Sequence, residues 1–349
     1  MDPRLFLADL EAKPESLRHL AATLSADDPW AGLPDPVDRV LLLGMGSSRY
    51  AAEMAALRLR AAGIDAIAEY ASTATSYPAR PGTLVIAISA TGTSIETLDA
   101  AARYQGSGHL VALTNVPDSP LATSADLVVP MHAGTERGGV ACRTFQHTLV
   151  LLLALVDRAT EAHRDAAGSG RRGAAGSVGR DAAGSGRSDA ALAGSVAALA
   201  RRAADATEDL LARRDAWLPR AIELLDGPHG VYALAPAERL SSALQSALMV
   251  REGPRRPADG CETGDWSHVD VYLAKTLDYR ALFLPGSRYD AAALEWLRTR
   301  KSTVLAVGAE VPDATAVIRY AGDDDEQVRL LTESLVAELV AAHWWASAA

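Results

Sequence analysis

Apolar positions along the chain change period again and again, and each change marks an element. Residues 5–24 carry an apolar position every three to four residues, interrupted at Pro14, which predicts two short helices. Residues 27–38 are rich in Pro and Gly and read as a connection. Residues 39–43 (Arg-Val-Leu-Leu-Leu) suit a buried strand, ended by Gly44-Met-Gly46-Ser47-Ser48. Residues 49–62 then have a helical Ala/Leu pattern closed by Gly63. Strands follow at 64–69 and 82–88, the second ended by Ser89-Ala-Thr91-Gly92-Thr93-Ser94 and a helix at 95–104. Short strands at 109–114 and 127–130 and a long apolar helix at 144–156 complete the first half. Continuous apolar strands alternating with helices predict an α/β fold whose mainly parallel sheet is covered on both faces.

Residues 164–189 differ in kind. Arg-Asp-Ala-Ala-Gly-Ser-Gly-Arg occurs at 164–171 and again at 180–187, with almost no large apolar residue nearby. Such a stretch cannot repay the entropy of ordering, so it is expected to be a flexible linker or surface insertion. The alternation then restarts. Helix is expected at 190–225, strand at 230–235, helix at 236–251, strands at 281–284 and 303–307 with helix 290–300 between them, and a closing helix at 326–345. The expected domains are therefore 1–162, a linker at 163–190, and 191–349.

Composition narrows the function. The 349 residues are 49% hydrophobic and 22% charged, enough for two cores at roughly 150 residues per domain. Lys+Arg 34 against Asp+Glu 44 leaves a net charge of −10, which argues against nucleic acid or an anionic membrane as partner. The 2 cysteines, Cys142 and Cys261, form no CxxC or Cys/His cluster, so no metal site and no disulfide framework is expected. The apolar run at 149–156 is too short to span a bilayer, and the opening Met1-Asp2-Pro3-Arg4 does not resemble a leader. A cytoplasmic protein is the expectation.

Candidate chemistry lies in two loops of the first half. Each follows a buried strand, is rich in Gly and hydroxyl residues, and opens a helix. Ser47 and Ser48 lie in one; Ser89, Thr91, Thr93 and Ser94 lie in the other. Helix N–H groups and hydroxyls placed in this way suit a phosphate. Neither loop is a Walker A or a GxGxxG, so no nucleotide cofactor is implied.

On these residues the chain resembles the sugar isomerase (SIS) domain family, in the double-domain form of the isomerase half of glucosamine-6-phosphate synthase. Gly44-Met-Gly-Ser-Ser48 is similar to the family's first phosphate loop. Ile88-Ser-Ala-Thr-Gly-Thr-Ser94 is similar to its Ser-Gln-Ser-Gly-Glu-Thr loop, and Ala112-Leu-Thr-Asn-Val-Pro117 and Ala133-Gly-Thr-Glu136 to the stretches after it. In the second half, Ser246-Ala-Leu-Met-Val-Arg-Glu252 and Gly264-Asp-Trp-Ser-His268 carry the resemblance. It implies two three-layer αβα units, a sugar-phosphate ligand, no cofactor, and a homodimer with shared sites. It also implies Glu252 as the base at C1/C2 and His268 as the group that assists ring opening.

The residues agree on Glu252. It continues a helical stripe through Ser241, Gln245 and Leu248 and stands in a last helical turn before Gly253-Pro254. There the negative end of the helix dipole and burial both raise a carboxylate's pKa, as a base near neutrality needs. Departures from the synthase shape the expectation further. Its lysine three residues before the base is Met249 here, and its C-terminal lysine tail and its glutaminase domain are expected to be absent. Its Ser-Thr-Lys segment appears as Ala141-Cys142-Arg143, of which Arg143 is a candidate phosphate contact and Cys142 a packed small residue. The expected enzyme is therefore a lyase rather than a glutamine-dependent synthase. It would take the C2 proton of an amino-sugar 6-phosphate such as N-acetylglucosamine 6-phosphate and expel water from C3. Aldose–ketose isomerisation or deamination of a hexosamine 6-phosphate is the alternative, and a non-catalytic sugar-phosphate sensor a further one.

Overall fold

The computed structural model describes residues 1–34, 37, 39–173 and 189–348, with backbone alone at 166–173 and 189–193. Among these, two five-stranded sheets organise the fold, and every pairing is parallel. The first comprises β1 (Arg39–Gly44), β2 (Asp65–Tyr70), β3 (Thr83–Ile88), β4 (His109–Thr114) and β5 (Leu127–Pro130), in the order β2-β1-β3-β4-β5. The second comprises β6 (Val231–Ala235), β7 (Ala258–Glu262), β8 (Arg280–Phe283), β9 (Thr303–Val307) and β10 (Ala316–Ile318), in the order β10-β9-β8-β6-β7. Counted from β7 inward, the second order repeats the first. The flanking helices make each unit a three-layer αβα sandwich.

The helices begin with α1 (Pro3–Glu11) and α2 (Lys13–Ala26). Asp2 caps α1 by accepting the N–H groups of Arg4 and Leu5, and Pro14 falls in the first turn of α2, where its missing N–H costs nothing. Helix α3 (Gly46–Ala61) follows β1, α4 (Ile95–Ala102) follows β3, and α5 (Pro120–Thr123) follows β4. Then come α6 (Arg143–Gly173), α7 (Asp189–Ala212) and α8 (Arg214–Leu225). Helix α9 (Leu240–Glu252) joins β6 to β7, the short α10 (Thr263–Trp266) follows β7, and α11 (Asp290–Thr299) joins β8 to β9. The last helices are α12 (Glu326–Thr332) and α13 (Ser334–Ala348).

Strand β3 is buried at all six positions, as a central strand covered on both faces must be. One core packs Leu41, Leu43, Val85, Ala87, Leu110 and Ala112 with Leu121; the other packs Leu234, Trp266, Tyr279, Phe283 and Leu297. With few aromatic residues, these cores are filled largely by Ala, Leu and Val.

Several elements differ from expectation. Strand β7 reads Ala-Asp-Gly-Cys-Glu, with no apolar run, because it is an edge strand and mostly half-exposed. The expected helix at 190–225 breaks at Arg213, and that at 326–345 breaks at Glu333. Helix α6 runs through the first copy of the repeat to Gly173 rather than stopping short of it. Extending an existing helix is cheap, and Ala and Arg are good helix formers. The second copy, at 180–187, lies outside the described residues.

The compact units interleave in sequence, whereas the expected division was contiguous. His19–His132 and His147–Ala198 form the unit of the first sheet; Met1–Arg18, Ala133–Gln146 and the chain from Leu199 form the unit of the second. Inside this second unit, Asp9 of α1 pairs with Arg143, and Lys13 of α2 pairs with Glu338 of α13. These buried ion pairs join segments far apart in sequence.

Candidate functional site

In the first sheet the strand order reverses between β1 and β3. Right-handed crossovers then send α3 and α4 to opposite faces and open a crevice at the carboxyl ends of these two strands. The strands run in register, with Leu43 opposite Ala87, so the two hydroxyl-rich segments leave the sheet side by side. Six candidate residues are thereby gathered at one edge of one unit: Ser47, Ser48, Ser89, Thr91, Thr93 and Ser94.

Ser47 and Ser48 stand inside the first turn of α3 rather than before it. Gly46 starts the helix with φ +50°, and Ser48 N–H donates to Met45 C=O. In the second segment Ser89 is buried, and its Oγ accepts the Gly92 N–H at 3.1 Å. Thr91 and Thr93 are exposed, with their hydroxyl oxygens 2.8 Å apart. Ser94 caps α4: its Oγ accepts the Thr97 N–H at 3.4 Å and donates to Glu96 at 2.9 Å. The nearest basic side chain in sequence, Arg49, is ion-paired with Glu53 and lies 4.0 Å over the Tyr70 ring. What this edge offers an anion is therefore N–H groups and hydroxyls, with Arg49 already paired.

The matching edge of the second sheet is built differently. After β6 comes Pro236-Ala-Glu-Arg239, and the Arg239 guanidinium is buried against Glu333 and the Pro285 carbonyl. After β8, Gly286 N–H donates to Asp290 at 2.7 Å. An internal ion pair fills this edge where the first sheet presents open hydroxyls.

Glu252 lies in the second unit, the last residue of α9, half-buried. Burial raises its carboxyl above the usual carboxylate range, and the Glu136 carboxylate adds to the rise. Glu136 is a functional candidate that the sequence reading passed over. Its Oε1 accepts the N–H groups of Cys142 (2.7 Å), Arg143 (2.6 Å) and Thr144 (3.2 Å), and its Oε2 accepts the Thr144 hydroxyl at 2.7 Å. This carboxylate is thus fixed at the N-terminus of α6 by four donors. An acidic residue a few positions ahead of an apolar helix was the available signal, though capping from seven residues upstream has no standard spacing.

His268 belongs to the same unit, with an exposed side chain in the turn after α10; its N–H donates to Asp265 C=O at 2.8 Å. Arg143, expected as a phosphate contact, is buried, 2.9 Å from Asp9 Oδ1, and donates to Thr135 C=O. Its charge is already compensated within the second unit. Cys142 is fully buried and its thiol pushed well up, which fits a packed residue and not a nucleophile. Among the described residues, no group of three His, Cys, Asp or Glu side chains gathers as a metal site, and no helix is long and apolar enough to cross a membrane.

The SIS domain family matches residues 36–158, the segment that holds the first sheet and its hydroxyl edge. The isomerizing glutamine–fructose-6-phosphate aminotransferase of Aeropyrum pernix is 29% identical over 281 residues, 78% of this chain and 42% of that protein. The chain thus spans less than half of that relative's length. The C-terminal domain of glucosamine-fructose-6-phosphate aminotransferase from Francisella tularensis superposes with a TM-score of 0.80 at 15% identity, covering 98% of this chain and 96% of that one. Glucosamine-6-phosphate deaminase from Thermotoga maritima gives 0.69 at 18% identity, covering 99% and 95%. The strand order, the hydroxyl edge and these matches agree: residues 36–158 match the SIS domain, and the chain is similar in sequence to the isomerizing glutamine–fructose-6-phosphate aminotransferases and shares the fold of their C-terminal domain.

Proposed function

We propose that this chain catalyses proton transfer at C2 of an amino-sugar 6-phosphate, in the isomerase and deaminase class of SIS proteins. The observation that carries the reading is the hydroxyl-lined edge at the β1/β3 reversal, a place suited to a phosphate. Ser48, Ser89, Thr91 and Ser94 hold the phosphate, with Ser47 and Thr93 beside them. Glu252 is the base: burial and Glu136 raise its carboxyl above the usual carboxylate range, which makes the ionised form a stronger proton acceptor. His268 assists ring opening or donates a proton to a leaving group.

The names of the relatives favour isomerisation or deamination as the fate of the deprotonated sugar. Elimination of water from N-acetylglucosamine 6-phosphate is the second reading. It is favoured by Met249, which stands where the synthase has a lysine. Acetylation would remove the amine's charge and leave deamination unfavourable. The test is incubation with a panel of hexosamine 6-phosphates, followed by product mass and by deuterium uptake at C2. Unchanged mass means isomerisation, loss of one water the lyase, and free ammonia the deaminase. Glu252→Gln is expected to lower the rate by at least three decades while sugar phosphate still binds. Wild-type turnover in that variant removes Glu252 from the mechanism.

A homodimer in which His268 serves the partner's site belongs to this reading. Mixing inactive Glu252→Gln and His268→Ala protomers should then restore part of the activity. No recovery after subunit exchange rejects shared sites.

A further inference from the structure

Helix α1 reaches the surroundings of Glu252 by two routes, both inside the second unit. The first runs through Asp9, whose side chain is buried. Its Oδ2 accepts the Gly138 N–H at 2.7 Å, and its Oδ1 accepts from Arg143 Nη2 at 2.9 Å. Asp2 N–H donates to Gly138 C=O at 3.3 Å, so Gly138 is bound at both its N–H and its C=O. The approach is close: a Cβ on Gly138 would lie 2.5 Å from Phe6 Cα. The segment held in this way, 135–143, contains Glu136, whose carboxylate acts on that of Glu252. It also touches α9 directly, since Ala141 C=O accepts from Gln245 Nε2 at 2.9 Å. Gln245 and Glu252 are seven apart on α9 and share a face.

The second route runs through Phe6, which is fully buried. Its ring centroid lies 5.9 Å from that of Trp345 in α13. Trp345 in turn covers Gly253, where a Cβ would lie 3.0 Å from its ring. Gly253 follows Glu252 and ends α9. A base in a last helical turn needs support from outside its helix, because the final carbonyls lack intrahelical partners and such turns fray. Proton transfer demands hydrogen-bond reach, and a small displacement of the base costs orders of magnitude in rate. Asp9 suits this task. A buried carboxylate is costly unless paired and hydrogen-bonded, and both oxygens of Asp9 are used on this one segment. Arg143 also donates to Thr135 C=O, so a single carboxylate ties down the two ends of 135–143.

We propose that Asp9 and Phe6 are positioning residues for Glu252: Asp9 fixes residues 135–143 beside α9, and Phe6, through Trp345, backs the turn at Gly253. The proposal rests on Glu252 as the base. The test is steady-state turnover of the hexosamine 6-phosphate on which the wild-type chain is most active, measured well below each variant's unfolding midpoint. Asp9→Ala and Phe6→Leu are each expected to lower kcat by about tenfold or more with KM within about twofold of wild type, since a misplaced base weakens the chemical step and not binding. Asp9→Ala combined with Glu136→Gln should lower kcat by less than the product of the two single losses, because both act through one segment. A role in stability alone would leave the two losses independent. Phe6→Leu supplies the kcat comparison if Asp9→Ala fails to fold. With Glu252→Gln inactive, a wild-type kcat in the folded variants, a loss confined to KM, or independent losses in the double variant overturns the positioning role alone. Wild-type turnover in Glu252→Gln, or no turnover of any hexosamine 6-phosphate, overturns the base and this proposal with it.

Discussion

Gly92 and Ser119 stand so close that a Cβ on Gly92 would lie 2.0 Å from Ser119 Oγ and 2.4 Å from Ser119 Cβ. Gly92 also has φ +65°, in the left-handed region that other residues enter at a cost. Ser119 cannot readily yield, because its Oγ accepts the Ala122 N–H at 3.3 Å and caps α5. The position of the Ser89–Ser94 segment is therefore set from beneath by a side chain outside it. Gly92→Ala should destabilise the protein by about 1–3 kcal/mol through overpacking and abolish sugar-phosphate binding. Gly92→Ala with Ser119→Gly, which removes the clash but not the backbone strain, should recover part of both. Calorimetric titration and thermal unfolding check this, and wild-type binding by the single variant would show that the segment adapts.

The hydroxyls themselves should matter in proportion to their hydrogen bonds. Bonds to a charged group contribute about 1.5–3 kcal/mol each. Ser89→Ala with Thr91→Ala should therefore weaken sugar-phosphate binding by roughly two decades or more. Equal affinity for the phosphorylated and unphosphorylated sugar in wild type would place the phosphate elsewhere.

Glu252 should set the acid limb of the rate profile. A base works when ionised, so activity should rise with pH through the raised pKa of Glu252. Replacing Glu136 by Gln removes a neighbouring negative charge and should move that limb to lower pH. Stability has the opposite sign. A carboxyl whose pKa is higher folded than unfolded favours the folded state at low pH, and that contribution is lost as pH rises through the folded value. Glu252→Gln should therefore be more stable than wild type at neutral pH, with the gap closing in acid. Chemical denaturation at several pH values reads this directly, and a gap independent of pH would reject it.

Lys13 and Glu338 form an ion pair with side chains at 2% and 0% exposure, and burial raises the Glu338 carboxyl against the pull of Lys13. Lys13→Met should cost about 3–5 kcal/mol at neutral pH, because it strands a buried carboxylate. The loss should shrink in acid, where Glu338 can take a proton. Lys13→Met with Glu338→Leu should return to within about 1 kcal/mol of wild type or exceed it, since well-packed apolar side chains often replace a buried pair without loss. Urea unfolding of the three proteins decides; additive losses would show that the pair is not coupled.

Much of this protein follows from its sequence alone. Apolar runs at β1, β3 and β4 and the helical periods between them are local signals, so the α/β class and the hydroxyl segments at Ser47 and Ser89 were legible. The position of Glu252 in a last helical turn was legible for the same reason, since a helix end is written in its own residues and the glycine after it. Three things needed the tertiary structure. The strand order that turns two loops into one edge depends on which strands pair, and pairing joins residues far apart in the chain. Strand β7 has no apolar run, because an edge strand buries little. Glu136 at the N-terminus of α6, Arg143 held by Asp9 and Lys13 held by Glu338 are decided by long-range pairing of charges, for which a chain records the residue types and not the partners.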